Sequence, residues 1–234
     1  MSVKDAQPVR RMFGRIVRRY DLLNRLISLG MDRRWRREAA AAALPAGAVA
    51  LDVGAGTGDL AQELRRQGAA RVVGVDFSRE MLVAAQVKAA GVDGGLSWAL
   101  ADALRLPFAD DTFDCVTNAF LLRNLADLSA GLAEMARVLK PGGRLVCLEM
   151  TWPPPGLFGA MYRLYFTRLV PPLAGLISGD PAAYQYLPCS VRNFIDAAAL
   201  AALLSEVGLS RVGFRLMSGG TVALHTARKP PSEV

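Results

Sequence analysis

The chain has 234 residues, 52% of them hydrophobic and 21% charged, with a net charge of +7. That length and balance give a folded domain with a full core and exclude a disordered or low-complexity chain. No apolar run approaches the ~20 residues needed to span a bilayer, and the Arg-rich start lacks the apolar stretch of a secretory signal.

The charge is concentrated at one end. Residues 1–38 hold eleven Lys/Arg against four acids, an excess equal to the whole net charge. Within them Phe13, Ile16, Val17, Tyr20 and Leu23 recur at helical spacing. A basic amphipathic helix on a neutral body points to an anionic surface, membrane or nucleic acid. A packed helix with a solvated Arg face fits the same pattern. Cys115, Cys147 and Cys189 give neither a zinc spacing nor a disulfide framework, which fits a reducing cytoplasm.

Strands and helices then alternate. The run Ala39–Ala43 is good helix. Val49–Val53 reads as a strand, and a helical pattern begins at Leu60. Arg71–Val75 is a second strand ending in Asp76, and Ser78 caps a helix through Ala90. Leu96–Leu100 and Phe113–Asn118 are the third and fourth strands. Asp127 caps a helix to Leu139, Lys140-Pro141-Gly142-Gly143 makes a turn, and Arg144–Met150 is the fifth strand. Asp196 caps the last helix, to Val207. Ser210–Met217 and Thr221–Ala227, joined through Gly219-Gly220, read as an antiparallel pair.

This order predicts an α/β fold: a seven-stranded mixed, mostly parallel, doubly wound sheet of Rossmann-like type. One domain is expected over 1–234, with an N-terminal helical cap over 1–45. Residues 152–192 break the alternation as a helical insertion before the last helix. They open Trp-Pro-Pro-Pro and are rich in aromatics. Such an insertion beyond the strand ends is placed to cover a site, although added core explains the same residues.

The first strand runs into Asp52-Val53-Gly54-Ala55-Gly56-Thr57-Gly58-Asp59. Glycines at alternate positions let backbone approach a nucleoside-bearing ligand. A dinucleotide pattern read from Gly54 fails because position 59 is Asp, and read from Gly56 it ends in Ala61. An acid in the first helical turn also opposes a pyrophosphate. S-adenosylmethionine has no phosphate and carries a sulfonium, so the acidic flank of Asp52 and Asp59 suits it. Asp76 can accept from two ribose hydroxyls, and Asp102 from an adenine amino group. Helix capping is the plainer use of such strand-end acids.

With these residues in place, the chain resembles class I S-adenosylmethionine-dependent methyltransferases, and within them the menaquinone/ubiquinone biosynthesis C-methyltransferases. The wider class shows in Asp52-x-Gly54-x-Gly56-x-Gly58 and in Leu139-Lys140-Pro141-Gly142-Gly143. The narrower family shows in Met12-Phe13, Ile16, Arg19-Tyr20-Asp21-x-x-Asn24, Ser28-x-Gly30 and Trp35-Arg36. It shows again in Leu122-Arg123-Asn124, Tyr184-x-Tyr186-Leu187, Ser190-x-Arg192 and Gly220-x-Val222-Ala223-Leu224-His225. The chain departs from the family at Gly14, usually acidic, and at Ala119 and Leu121, where Ser and Gly are usual.

The resemblance implies methylation of a ring carbon on a prenylated quinol, foremost demethylmenaquinol to menaquinol, with S-adenosylmethionine as donor. It implies cofactor contacts at Asp52, Gly54, Gly56, Thr57, Gly58, Asp76, Met81, Asp102, Ala103, Asn118 and Ala119. Arg123 and Asn124 are the catalytic candidates, and Tyr20, Asn24, Tyr184, Tyr186 and Arg192 the substrate-side ones. No metal is expected, and His225, the single histidine, reads as structural. The expected partners are the quinol and an anionic membrane surface, for a cytoplasmic protein peripheral at the membrane; a homo-oligomer is compatible with this. Methylation of another small molecule, or a non-catalytic cofactor-binding role in quinone synthesis, are the alternatives. No Asn-Pro-Pro-Tyr-like motif supports nucleic acid.

Overall fold

Seven strands make one sheet: β1 (Val49–Val53), β2 (Arg71–Asp76), β3 (Leu96–Leu100), β4 (Phe113–Ala119), β5 (Leu139–Met150), β6 (Ser210–Met217) and β7 (Val222–Arg228). Their order is β3-β2-β1-β4-β5-β7-β6. The first five run parallel, and β7 is antiparallel to both β5 and β6. The expected mixed, mostly parallel sheet is therefore present. This computed structural model describes residues 17, 19–43, 47–91, 94–172, 175 and 181–231, with backbone alone over 181–186. Phe13 and Ile16 of the N-terminal pattern lie outside the described residues.

Strand order reverses between β1 and β4, so the loops leaving those two strands diverge and open a crevice at their carboxyl ends. Alternation along each strand covers both faces. On one face α2 (Asp32–Ala43) and α3 (Asp59–Arg66) bury Ala39, Ala40, Ala43, Leu60 and Leu64 against Val72, Cys115 and Val146. The alanine run brings α2 close to the sheet because methyl groups alone separate them. On the other face α5 (Leu128–Val138) and α8 (Ala197–Glu206) bury Leu132, Met135, Leu200 and Leu204 against Leu51, Val116 and Leu145.

The caps behave as the sequence requires. Ser78 Oγ accepts from Met81 N–H, Asp127 from Ala130 N–H and Asp196 from Ala199 N–H. The helix after Ser78, α4 (Arg79–Lys88), stops two residues before Ala90. The Pro141-Gly142-Gly143 turn is absorbed into β5: Gly142 takes φ 77° and its N–H donates to Lys229 O at 2.9 Å.

Two segments lie over the crevice. One is α1 (19–27). The other is α6 (Leu157–Leu164), which continues as a π-helical turn over Tyr165–Leu169, and α7 (Pro181–Arg192). They form a separate small core in which Phe166, Val170 and Val191 are buried and Ile27, Trp152, Tyr162 and Leu187 pack round them. Rings hold it together: Phe166 stacks on Tyr162 at 5.5 Å and meets Trp152 edge-on at 5.8 Å. The aromatics of the insertion thus divide between this core and the exposed face of α6, where Leu157, Phe158, Met161 and Leu164 meet solvent.

Candidate active site

The loop after β1 is shaped by Asp76. Gly54 and Gly56 take φ of 69° and 54°, a backbone that favours glycine. Gly56 N–H donates to Asp76 Oδ2 at 2.8 Å, and Ser78 N–H donates to Oδ1 at 2.9 Å. Each carboxylate oxygen keeps a further lone pair for a ligand. Burial raises the Asp76 pKa, opposed by the Ser78, Gly56 and Phe77 amides.

A first cavity with about 790 Å³ of empty volume opens on this loop, and Gly54, Gly56, Asp76, Met81, Asp102, Ala103, Ala119 and Asn124 line it. With Tyr20, which also lines it, nine of the sequence candidates meet around one space. Asp102 Oδ1 accepts from Leu104 N–H at 2.9 Å, which fixes the carboxylate at the rim. Leu121 also lines the cavity, and its Cδ1 lies 2.7 Å from where a Cβ on Gly54 would stand. The side chain that replaces the family's usual glycine at 121 is accommodated by the glycine at 54.

A smaller pocket of about 310 Å³ adjoins it, lined by Arg36, Asp52, Thr57, Asp59 and the same two glycines. Asp52 is 1% exposed and accepts from Thr117 Oγ1 at 3.1 Å, while its Oδ2 has no partner among the described residues. Burial pushes its pKa up to about 7, against the Thr117 hydrogen bond and the nearby Arg36 charge. Thr57 Oγ1 donates to Asp21 Oδ1 at 2.6 Å. Lys88 Nζ bridges Asp21 and Asp59, so α1 is tied down across the glycine loop.

Two candidates sit elsewhere. Gly58 lines none of these spaces. A Cβ there would fall 2.5 Å from the Trp98 ring, and one on Gly74 2.4 Å from it, so both glycines make room for that indole. Asn118 turns its side chain into the core, donating to Cys147 Sγ at 3.1 Å. It lines none of the three cavities.

A second large cavity, about 990 Å³, lies under α1 and α6 and is mainly apolar. Tyr20, Asn24, Phe120 and Arg123 line it, with Ile27, Met150, Tyr162, Tyr165 and Leu187. Tyr20 and Phe120 belong to both large cavities and are the wall between them. Phe120 has φ 61°, strained for a residue with a side chain. Its carbonyl accepts from Arg123 Nη1 at 3.0 Å and Asn124 Nδ2 at 3.2 Å. Arg123 is ion-paired to buried Glu149, which also accepts the Arg123 N–H at 3.3 Å.

The remaining candidates are placed as follows. Tyr184 and Tyr186 fall on α7, and their side chains lie outside the described residues. Arg192 is exposed at the last turn of α7 and lines none of the three cavities. His225 is buried, with Nε2 2.8 Å from Ala197 O, and burial lowers its pKa, so it is structural as read. Among the described residues no group of three or more His, Cys, Asp or Glu could hold a metal.

Four further residues are brought to the site: Phe120, Glu149 and the pair Asp32–Arg36. Arg36 belonged to a family motif without a role, and Phe120 and Glu149 had no local signal. Their importance comes from the fold.

The model of the ubiE/COQ5 methyltransferase family matches residues 1–229. The demethylmenaquinone methyltransferase of Thermus thermophilus is 50% identical over 94% of this chain and 100% of its own length. That of Deinococcus radiodurans is 48% identical over 95% and 93%. Among solved structures, the cyclase SpnF superposes with TM-score 0.68 at 20% identity, over 99% of this chain and 98% of that one. Phosphoethanolamine N-methyltransferase 2 of Haemonchus contortus, solved with S-adenosyl-L-methionine, gives 0.60 at 15% identity, over 82% and 52%. These structures share the fold.

Asp52 generates a pH test. Its folded pKa lies above the ordinary 3.8, so the proton it holds stabilises the fold fully below about pH 4. That contribution is lost as pH rises through about 7. Asp52→Asn keeps the shape without the titration. Its stability relative to the parent should therefore climb between pH 4 and 8, by at most about 4 kcal/mol. Urea unfolding of both proteins across that range measures this, and a flat difference contradicts it.

Proposed function

The chain belongs to the ubiE/COQ5 methyltransferase family, and from that premise we propose that it methylates a ring carbon of a prenylated quinol, converting demethylmenaquinol to menaquinol. The observation that carries this reading is the pair of cavities meeting at Tyr20 and Phe120. One has the glycine loop and Asp76; the other is large, apolar and holds a guanidinium. The relatives named above favour the naphthoquinol over the benzoquinol of ubiquinone synthesis.

The first cavity fits S-adenosylmethionine. Asp76 would accept the two ribose hydroxyls on its remaining lone pairs, and Asp102 the adenine amino group. Gly54 and Gly56 give backbone contact without side chains in the way, and Met81, Ala103 and Ala119 supply apolar walls. Thr57, Asp52 and Asp59 lie where the cationic end of the donor needs acids. The roles of Gly58 and Asn118 are taken as packing and backbone contact. When bound, the donor supplies an electrophilic methyl carbon on sulfur.

The second cavity would hold the quinol ring against Phe120, with Tyr20 and Asn24 beside it and the prenyl tail leaving between α1 and α6. A quinol carbon becomes nucleophilic as the neighbouring hydroxyl loses its proton. Among the described residues lining this cavity, the carboxylate is Asp32, and Arg36 already pairs with it. Burial raises the pKa values of Tyr20, Tyr162 and Tyr165, which keeps them as neutral phenols rather than phenolates that could take the proton. The chain therefore acts by charge: Arg123, fixed by Glu149, stabilises the phenolate while water carries the proton away. Asn124 holds the Phe120 carbonyl and so keeps the wall in place.

A turnover assay with labelled methyl donor tests the reading, using short-chain demethylmenaquinol and demethoxyubiquinol-type acceptors. Arg123→Ala should lower kcat about 100-fold or more with little change in donor affinity. Methyl transfer to neither quinol removes the reading, and an unchanged single-turnover rate in the variant removes the Arg123 role.

The exposed apolar side chains support peripheral membrane contact. Leu22, Leu26 and Leu29 on and after α1, and the outer face of α6, are solvent-exposed beside the second cavity. No helix among the described residues is long and apolar enough to cross a membrane. Basic residues near an anionic leaflet gain about 1 kcal/mol each, screened within roughly a Debye length. Co-sedimentation should show binding to anionic vesicles that weakens with salt. Equal pelleting with neutral vesicles, or none with either, contradicts it, and salt-sensitive binding to duplex DNA would point to nucleic acid instead.

A further inference from the structure

Resting on the quinol reading, we propose that Ser218 orients the ring: its hydroxyl donates to the quinol oxygen opposite the one that faces Arg123. The backbone supplies the first argument. In the turn between β6 and β7, Ser218, Gly219 and Gly220 take φ of 49°, 68° and 88°. Glycine adopts such a backbone readily, whereas a residue with a side chain is strained there. The turn is held by its surroundings. Thr221 Oγ1 donates to Ser218 O at 3.1 Å, and a Cβ on Gly219 would fall 2.4 Å from the Phe158 ring. Of the three positions, 218 alone carries a side chain, and it lines the second cavity. Strain kept at a cavity wall points to a use for that side chain.

Hydrogen bonding supplies the second argument. Ser218 Oγ accepts the indole N–H of buried Trp35 at 2.9 Å, which fixes the oxygen. Its own proton goes to Met31 Sδ at 3.7 Å, and a thioether is a weak acceptor. The hydroxyls of Ser28, Thr221 and Tyr165 line the same cavity but donate to protein oxygens. Ser218 thus holds a proton that a ligand oxygen accepts better than its present partner does.

Topology supplies the span. Arg123 follows β4, Ser218 precedes β7, and β5 lies between those two strands. Ala119 pairs with Leu148, and Val222 with Met150, so both turns sit at the same end of β5. Two strand spacings separate them, about 10 Å. A quinol ring has oxygens at opposite corners, and with a hydrogen bond of about 2.8 Å at each end it bridges a gap of that order. The direction of the ring decides the chemistry. The carbon that takes the methyl group adjoins one oxygen, and the carbon bearing the prenyl tail adjoins the other. With the first oxygen at Arg123, the tail starts on the Ser218 side. There Phe158 both lines the cavity and meets solvent, which gives the tail its exit. A reversed ring would offer the donor a carbon already blocked by the tail.

Calorimetry on the full chain, with S-adenosylhomocysteine present and under reducing conditions, compares two probes. One is a short-chain demethylnaphthoquinol, the other the matching naphthol that lacks the opposite oxygen. The parent should bind the quinol about 10-fold more tightly than the naphthol. Ser218→Ala should lose about 10-fold in quinol affinity and keep its naphthol affinity. Ser218→Gly, which suits the left-handed backbone, should behave in the same way and guards against a folding defect. Unchanged quinol affinity in both variants hands the oxygen to another wall group, such as Arg36, and overturns the proposal. Equal losses with both probes, or a parent that does not distinguish them, overturn it as well. If the parent binds neither probe, the quinol reading itself has failed.

Discussion

The left-handed backbone at Phe120 is the constraint on which both cavities depend. It costs about 1–3 kcal/mol where it is not over-determined. Here it is held from several sides. The Phe120 N–H donates to Leu148 O at 2.8 Å, and its carbonyl accepts from Arg123 and Asn124. The ring is then set between two guanidiniums, Arg36 at 5.3 Å and Arg123 at 5.9 Å from its centroid. An ordinary turn after β4 would swing the ring away and merge the two large cavities. With the ring in place, the two cavities stay separate and share one wall.

The same logic explains why two ion pairs are buried. Arg123–Glu149 and Arg36–Asp32 are each almost wholly out of water. Their carboxylates lie on β5 and α2, behind the guanidiniums, and both guanidiniums reach the cavity wall. Charges fixed in a low-dielectric setting act strongly on an anion that forms there and need no reorganisation.

Much of this was legible in the sequence because it is local. Strand-end Asp76, the helix-capping Ser78, Asp127 and Asp196, and the antiparallel closing pair all follow from short patterns that the fold reproduces. The glycine loop was legible in part. Gly54 and Gly56 border the first cavity, whereas Gly58 serves Trp98, a residue 40 positions away on β3. Nothing local distinguishes a glycine that faces a ligand from one that faces an indole. Asn118 shows the same limit: alternation along β4 directs its side chain to Cys147 and Met135. Glu149 looked like one more strand residue, and its meaning appears only once β5 lies beside the turn after β4.

The central claim is that methyl donor and quinol occupy two cavities that meet at Tyr20 and Phe120. A crystal structure with S-adenosylhomocysteine and a truncated demethylnaphthoquinol tests it most directly. The account predicts the ribose on Asp76, the sulfur at the shared wall, and the quinol ring in the second cavity with one oxygen facing Arg123. A ribose away from Asp76, or a quinol ring bound outside the second cavity, would contradict it.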